Sequence, residues 1–145
     1  MSDLKQTTGF LQNVPLFHSL NSRQLELLAK RMVEREYGAD QPIVTQDKGG
    51  EGFFVIVSGK AQAIRQRSDG EKIPVNSFGP TDFFGELALL DDGLRTASVI
   101  ASEPTKCLVL TRWDFLGALR ESDVEMAIII LEQLAKRFRR ALDSL

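Results

Sequence analysis

The chain has 145 residues, 43% hydrophobic and 26% charged, which suits a globular domain with its own core. A net charge of −2 gives no general attraction to nucleic acid or anionic membrane, and no apolar run reaches the length of a membrane span. The opening "MSDLKQTTGF" lacks the basic-then-apolar layout of a signal peptide, and a single cysteine, Cys107, excludes an internal disulfide, so a soluble cytoplasmic protein is expected.

In chain order, residues 1–34 read as an N-terminal helical segment. "VPLFHSL" is a turn anchored by Val14, Leu16, Phe17 and Leu20. "NSRQLELLAKRM" then sets Leu25, Leu28, Ala29 and Met32 at helical spacing, with Asn21 or Ser22 as N-cap. The lone His18 has no second histidine to work with, so a metal or catalytic role is not expected of it.

From 35 to 111 short β-rich runs alternate with turn chemistry. The expected strands are "PIVT" (42–45), "GFFVIVSG" (52–59), "KAQAIRQR" (60–67), "KIPVNSF" (72–78), "ASVIA" (97–101) and "KCLVLT" (106–111). "DKGGEG", "SDGE" and "GPTD" supply loops, "SGK" a tight turn, and "RSDGEK" a hairpin in which Asp69-Gly70 suits positive φ. Cys107 falls in a β-rich run and is expected in the core.

Beyond 111 the pattern is helical again. "RWDFLGAL" (112–119) is a short helix in which Trp113 and Phe115 are expected to pack. A long helix over 122–145 starts with Ser122 and Glu125 at capping-box spacing. Its stripe of Val124, Ala127, Ile128, Leu131, Leu134, Ala135, Phe138 and Leu142, widened by Ile129 and Ile130, is too broad for one contact. It should rest partly on the β-domain and partly on another surface, such as a second copy of the chain. "KRFRR" reads as a solvated face at the end of the helix, where positive charge suits the dipole. The predicted fold is mainly β: a jelly-roll β-barrel with an N-terminal helical segment and two C-terminal helices, one domain over 1–145.

The stretch "DFFGELALLDDGLRTASVIA" (82–101) carries the chemistry. "GELALL" has helical propensity for a turn or two, ended by "DDG" at 91–93, and the first amides of such a turn can face an anion. Gly85 lets the backbone approach a ligand. Arg95 keeps its charge and can give two parallel hydrogen bonds to a phosphate. Glu86 cannot share that duty, since two anions repel, but it can accept from sugar hydroxyls. Together these groups describe a site for a nucleotide with one phosphate. The plainer reading is a structural Glu86–Arg95 ion pair.

"FGELALL" followed by "RTASV" closely resembles the phosphate-binding cassette (84–98) of cyclic-nucleotide-binding domains, found in cyclic-nucleotide-dependent kinases, gated channels and catabolite-activator-type regulators. "NVPLFHSLNSRQLELLAKRM", "GEGFFVIVSGKAQA" and "KCLVLTRWDFLGAL" are similar to the family's N-terminal segment, central strand pair, and last strand with first C-terminal helix. The resemblance implies that the ligand is cAMP or cGMP and that no cofactor or metal is needed. By that likeness Arg95 pairs with the cyclic phosphate and Glu86 accepts from the ribose 2′-hydroxyl. The amides of Gly85, Leu87, Ala88 and Ala97 border the sugar-phosphate. The Thr96 hydroxyl meets the phosphate, the base, or both, and Val75 is a wall for the purine. Leu94 replaces the proline that many members carry, and Phe83 and Phe84 are bulkier than usual; both departures bear on base preference. A hydroxyl at Thr96 resembles members that bind cGMP and also occurs in members that prefer cAMP; the expectation leans to cAMP as the commoner ligand.

The resemblance implies a regulatory sensor rather than an enzyme; no nucleophile–base pair, metal cluster or Walker loop is present in the sequence. Ligand is expected to draw "GELALL" toward the strands and move the helix 122–145, which passes the signal to a homodimer partner or an effector protein. Direct nucleic acid contact and membrane association are not expected. The alternatives are a ligand-free oligomerisation scaffold of the same fold, and the sensor part of a catabolite-activator-type transcription regulator.

Overall fold

Runs of β-branched and aromatic residues broken by Gly, Asp and Pro dominate the middle of the chain, and helical patterns flank them. The computed structural model describes residues 3–49, 52–91 and 93–145. Gly50 and Glu51 of "DKGGEG" and Asp92 of "DDG" lie outside the described residues. Among the described residues the order is α1 (Leu4–Leu11), α2 (Ser22–Ala29), β1 (Val33–Tyr37), β2 (Pro42–Val44), β3 (Phe53–Ser58), β4 (Ala61–Gln66), β5 (Lys72–Phe78), β6 (Phe83–Phe84), a 3₁₀ turn (Glu86–Leu89), β7 (Ser98–Ala101), β8 (Thr105–Leu110), α3 (Arg112–Glu121) and α4 (Val124–Asp143). Two compact units result. One joins the residues up to Arg31 with Trp113–Leu145, and the other is Met32–Arg112.

The β unit holds two antiparallel four-stranded sheets, ordered β1-β8-β3-β6 and β2-β7-β4-β5. Their facing sides share one core. Phe54, Ile56, Phe84, Cys107 and Val109 come from the first sheet, and Ile43, Val44, Ala61, Ala63, Phe78, Val99 and Ala101 from the second. This is the expected jelly roll in open form, because the described strands pair within two sheets rather than around a closed barrel. Phe54 and Phe84 stack with ring centroids 5.1 Å apart, so the bulky residues before Gly85 are core and also form strand β6. Cys107 is fully buried, and burial pushes its thiol up to about 12.

β1, "VEREY", was absent from the expected strands because its charges mask the alternation. It is an edge strand that pairs with Thr105–Val109 of β8, and Lys106 lies 3.2 Å from Glu34 and 3.7 Å from Glu36. In the 67–71 hairpin only Gly70 takes positive φ, at 89°. Asp69 instead accepts the Glu71 N–H through Oδ1 at 2.9 Å, so the Asp-Gly pair works by a side-chain cap and one permissive glycine.

The helical unit starts with α1, which falls in the expected 1–34 helical segment without having been singled out there; it is capped by Asp3, whose side chain accepts from Gln6 N at 2.7 Å. α2 has a full capping box: Asn21 and Gln24 each accept the other's backbone N–H at 2.9 Å. Met32 falls outside that helix. The cap of α4 is Asp123, not Ser122; its Oδ1 accepts from Met126 N at 3.2 Å, which shifts the start by one residue and removes the expected Ser122–Glu125 box. Phe115 is buried as expected, whereas Trp113 is 76% exposed, which corrects its assignment to packing.

Candidate functional site

The cassette is built where β6 ends. Gly85 has φ 82°, a left-handed conformation that a side chain resists. A Cβ there would lie 2.7 Å from the Gly52 carbonyl oxygen and closer still to Nη1 of Arg95. The chain then makes one turn, Glu86–Leu89, the shorter of the one or two expected, and it is 3₁₀ rather than α. In this tight turn the Ala88 N–H donates to Gly85 O at 3.0 Å, so Ala88 lines the site without offering an open donor.

Arg95 is held from both sides. Its N–H donates to Lys48 O at 3.0 Å and its carbonyl accepts from Asp47 N at 2.8 Å, beside the Gly49–Leu94 bridge. Its guanidinium donates through Nη2 to the Gly52 carbonyl and lies 6.0 Å from the centre of the Phe54 ring. Arg95 is the one charged side chain buried among the described residues, at 9% exposure. A charge kept out of water needs hydrogen bonds and countercharge, and the Gly52 carbonyl supplies one of those bonds. Gly52 was not singled out from the sequence. Its carbonyl reaches Arg95 across 43 residues, and a Cβ on it would come within 2.8 Å of the Thr111 Cα.

One cavity of about 330 Å³ gathers every ligand-binding candidate read from the sequence: Gly85, Glu86, Leu87, Ala88, Arg95, Thr96, Ala97 and Val75. Its volume is within the range of small-molecule sites. Glu86 is half-buried and Thr96 exposed at the rim, so both can meet a ligand that Arg95 holds deeper in. Val75 lies in the β5 segment where the register with β4 shifts, and it is 47% exposed. Of the apolar lining, Val44, Ala63, Phe78 and Val99 were read only as strand, and Phe84 only as a bulky departure within the cassette. For Ala63 and Val99 the signal was the inward side of a period-two alternation. Arg65 also lines the cavity and was missed.

His18 is exposed, its Nδ1 2.7 Å from Pro15 O. Among the described residues no group of three or more His, Cys, Asp or Glu is placed to hold a metal ion, and no helix is long and apolar enough to cross a membrane.

Comparison with known proteins agrees with this geometry. The family described as cyclic nucleotide-binding domain matches residues 34–122. The chain is 34% identical over 131 residues to a cyclic AMP receptor protein of Thermus thermophilus, covering 90% of this chain and 60% of that protein. It is 39% identical over 107 residues to a cAMP-dependent protein kinase regulatory subunit of Aspergillus fumigatus, covering 74% of this chain and 25% of that protein. The chain thus spans only part of the length of both relatives. Among solved structures, the N-terminal domain of a transcriptional regulator from Streptomyces coelicolor superposes with a TM-score of 0.82 at 30% identity, covering 93% of this chain and 94% of that one. With a matched segment that runs from β1 through α3 and contains the whole cavity, the chain belongs to the cyclic nucleotide-binding domain family.

Proposed function

We propose that this chain is a regulatory sensor domain that binds cAMP or cGMP in the cassette cavity and performs no catalysis of its own. The observation that carries this reading is the placement of Arg95. It is buried, hydrogen-bonded to Gly52 and set against Gly85, with Glu86 on the same cavity wall. The guanidinium holds the cyclic phosphate, and the Gly85 and Ala97 amides border it. Glu86 accepts from the ribose 2′-hydroxyl, Thr96 offers a rim hydroxyl, and Val75 faces the purine. Leu87 closes the mouth. A lone buried cysteine with no disulfide fits a cytoplasmic setting.

Titration calorimetry with cAMP and cGMP tests the assignment. Arg95→Ala should lose about 2–5 kcal/mol of binding, the range for removing one partner of a desolvated charge pair. A folded wild-type protein that gives no heat with either nucleotide would instead favour a ligand-free scaffold.

A second observation concerns partners. On α4, Val124, Ile128, Leu131, Phe138 and Leu142 are exposed while Met126 and Ile130 are buried. With Ala135, which is also exposed, the exposed set alternates steps of four and three, the seam of a two-stranded coiled coil. The proposed occupant is α4 of a second copy. A helix joined to its twin can relay a ligand signal, provided the nucleotide has different contacts in two states of the protein.

A further inference from the structure

Three of the four charged residues that line the cavity, Glu86, Asp91 and Arg95, belong to the cassette; the fourth, Arg65, comes from the sheet wall. Arg65 is two residues beyond Ala63, so both point to the same face of β4. Ala63 opposes Val99 and Ile64 opposes Ser98, which brings Arg65 level with Ala97 at the end of the pairing. The Gln46 side chain holds this end in place. It accepts from Gln66 N at 2.7 Å and donates to Gln66 O at 2.9 Å, while Gln46 N donates to Ser98 Oγ at 2.9 Å. A side-chain amide thus substitutes for a strand pair immediately beside Arg65. Among the described residues no hydrogen bond or ion pair engages the Arg65 guanidinium.

On the cyclic-nucleotide reading, on which this inference rests, the cassette takes the phosphate and ribose. The base is left to the sheet wall, where Val44, Ala63, Val75, Phe78 and Val99 supply apolar contact and no side-chain donor. We propose that Arg65 is the base-reading residue of this domain and that its planar fork selects a 6-oxopurine over adenine. Guanine presents two acceptors, O6 and N7, on one edge, which an arginine can bond bidentately; adenine presents N7 beside an N6 amino donor, which faces the fork donor to donor.

Titration calorimetry of the full chain with cyclic GMP, cyclic IMP and cyclic AMP tests this. Inosine keeps O6 and N7 but lacks the 2-amino group, so it separates the Arg65 edge from any contact of Thr96 with that amino group. Wild type should bind cyclic GMP and cyclic IMP more tightly than cyclic AMP. Arg65→Ala should weaken the two oxopurines by about tenfold and cyclic AMP by no more than about twofold. Arg65→Lys, which keeps the charge and loses the fork, should behave like Arg65→Ala in discrimination. Equal weakening of all three nucleotides would make Arg65 a general cation for the phosphate and overturn the proposal, as would no change in any of them. Arg65 is exposed at a strand end, so both variants should keep the wild-type melting temperature. Binding that Arg95→Ala abolishes but Arg65→Ala leaves untouched defeats base reading alone, whereas a wild type that binds none of the three defeats the cyclic-nucleotide reading itself.

Discussion

At Gly85 a left-handed backbone angle sets the turn against Arg95 and the Gly52 carbonyl. A side chain there meets two penalties at once, the left-handed φ of 82° and the closeness of the Gly52 carbonyl and the Arg95 guanidinium. Gly70 shares the first but not the second: its φ is 89°, with nothing within 4 Å of where a Cβ would stand. Gly85→Ala and Gly70→Ala should therefore each lose about 1–3 kcal/mol of stability from backbone strain. Only Gly85→Ala should also lose nucleotide binding, since Arg95 must shift to make room. Urea denaturation paired with calorimetry separates the two effects, and a Gly85→Ala protein that binds as wild type would refute this role. The cassette glycine and arginine were legible as chemistry because their types and spacing are unusual in a core. Gly52 was not legible, because its contribution is a carbonyl brought to Arg95 from a distant part of the chain.

Among the elements, the end of α2 is fastened to α3 by charge. Lys30 Nζ lies 2.8 Å from Glu121 Oε2, Arg31 Nη2 lies 2.5 Å from Glu121 Oε1, and Arg31 Nη1 lies 3.4 Å from Asp114 Oδ1. Gly117 makes room for this, since a Cβ on it would come within 2.8 Å of Arg31 Cζ. Hydrogen bonds from Lys30 and then Arg31 hold the Glu121 carboxyl below its ordinary 4.5. A lowered folded-state value stabilises the protein above the unfolded-state value and is lost as pH falls through the folded one. Glu121→Gln should thus be less stable than wild type at neutral pH, and the gap should close below about pH 4.5 in urea midpoints measured across the acid range. A gap independent of pH would mean that packing, not charge, fastens the two helices. The pairs are well exposed, so added salt should narrow the gap too. Helix caps show how far local patterns reach. At α2 the sequence left Asn21 or Ser22 as the cap and the structure takes Asn21 with Gln24; at α4 Ser122 and Asp123 are adjacent and both able to cap, and the choice fell to Asp123. β1 and β6 escaped notice for opposite reasons, one being too charged and the other only two residues long.

For the molecule as a whole, the exposed seam on α4 sets the expected assembly. Phe138 is 61% and Leu131 56% exposed, an arrangement that a partner helix would cover. Sedimentation of wild type should give a dimer at micromolar concentration, and Leu131→Glu should shift it to monomer without unfolding the β unit. A wild type that sediments as a monomer at every concentration would remove the second copy from the proposal. The sequence by itself determined the alternation of short strands and turns, the amphipathic ends and the Gly85–Glu86–Arg95–Thr96 cluster, because each is written in residues close together along the chain. Only the tertiary structure decided that the pairing stays open as two sheets, that Gly52 receives Arg95, and that Arg65 joins the same cavity as Val75. It also split the α4 stripe, burying Ile130 together with Met126, which the stripe did not include, and leaving a separate seam for a partner. These outcomes depend on cross-strand register and on which face another element covers, and neither is a property of a local run of residues.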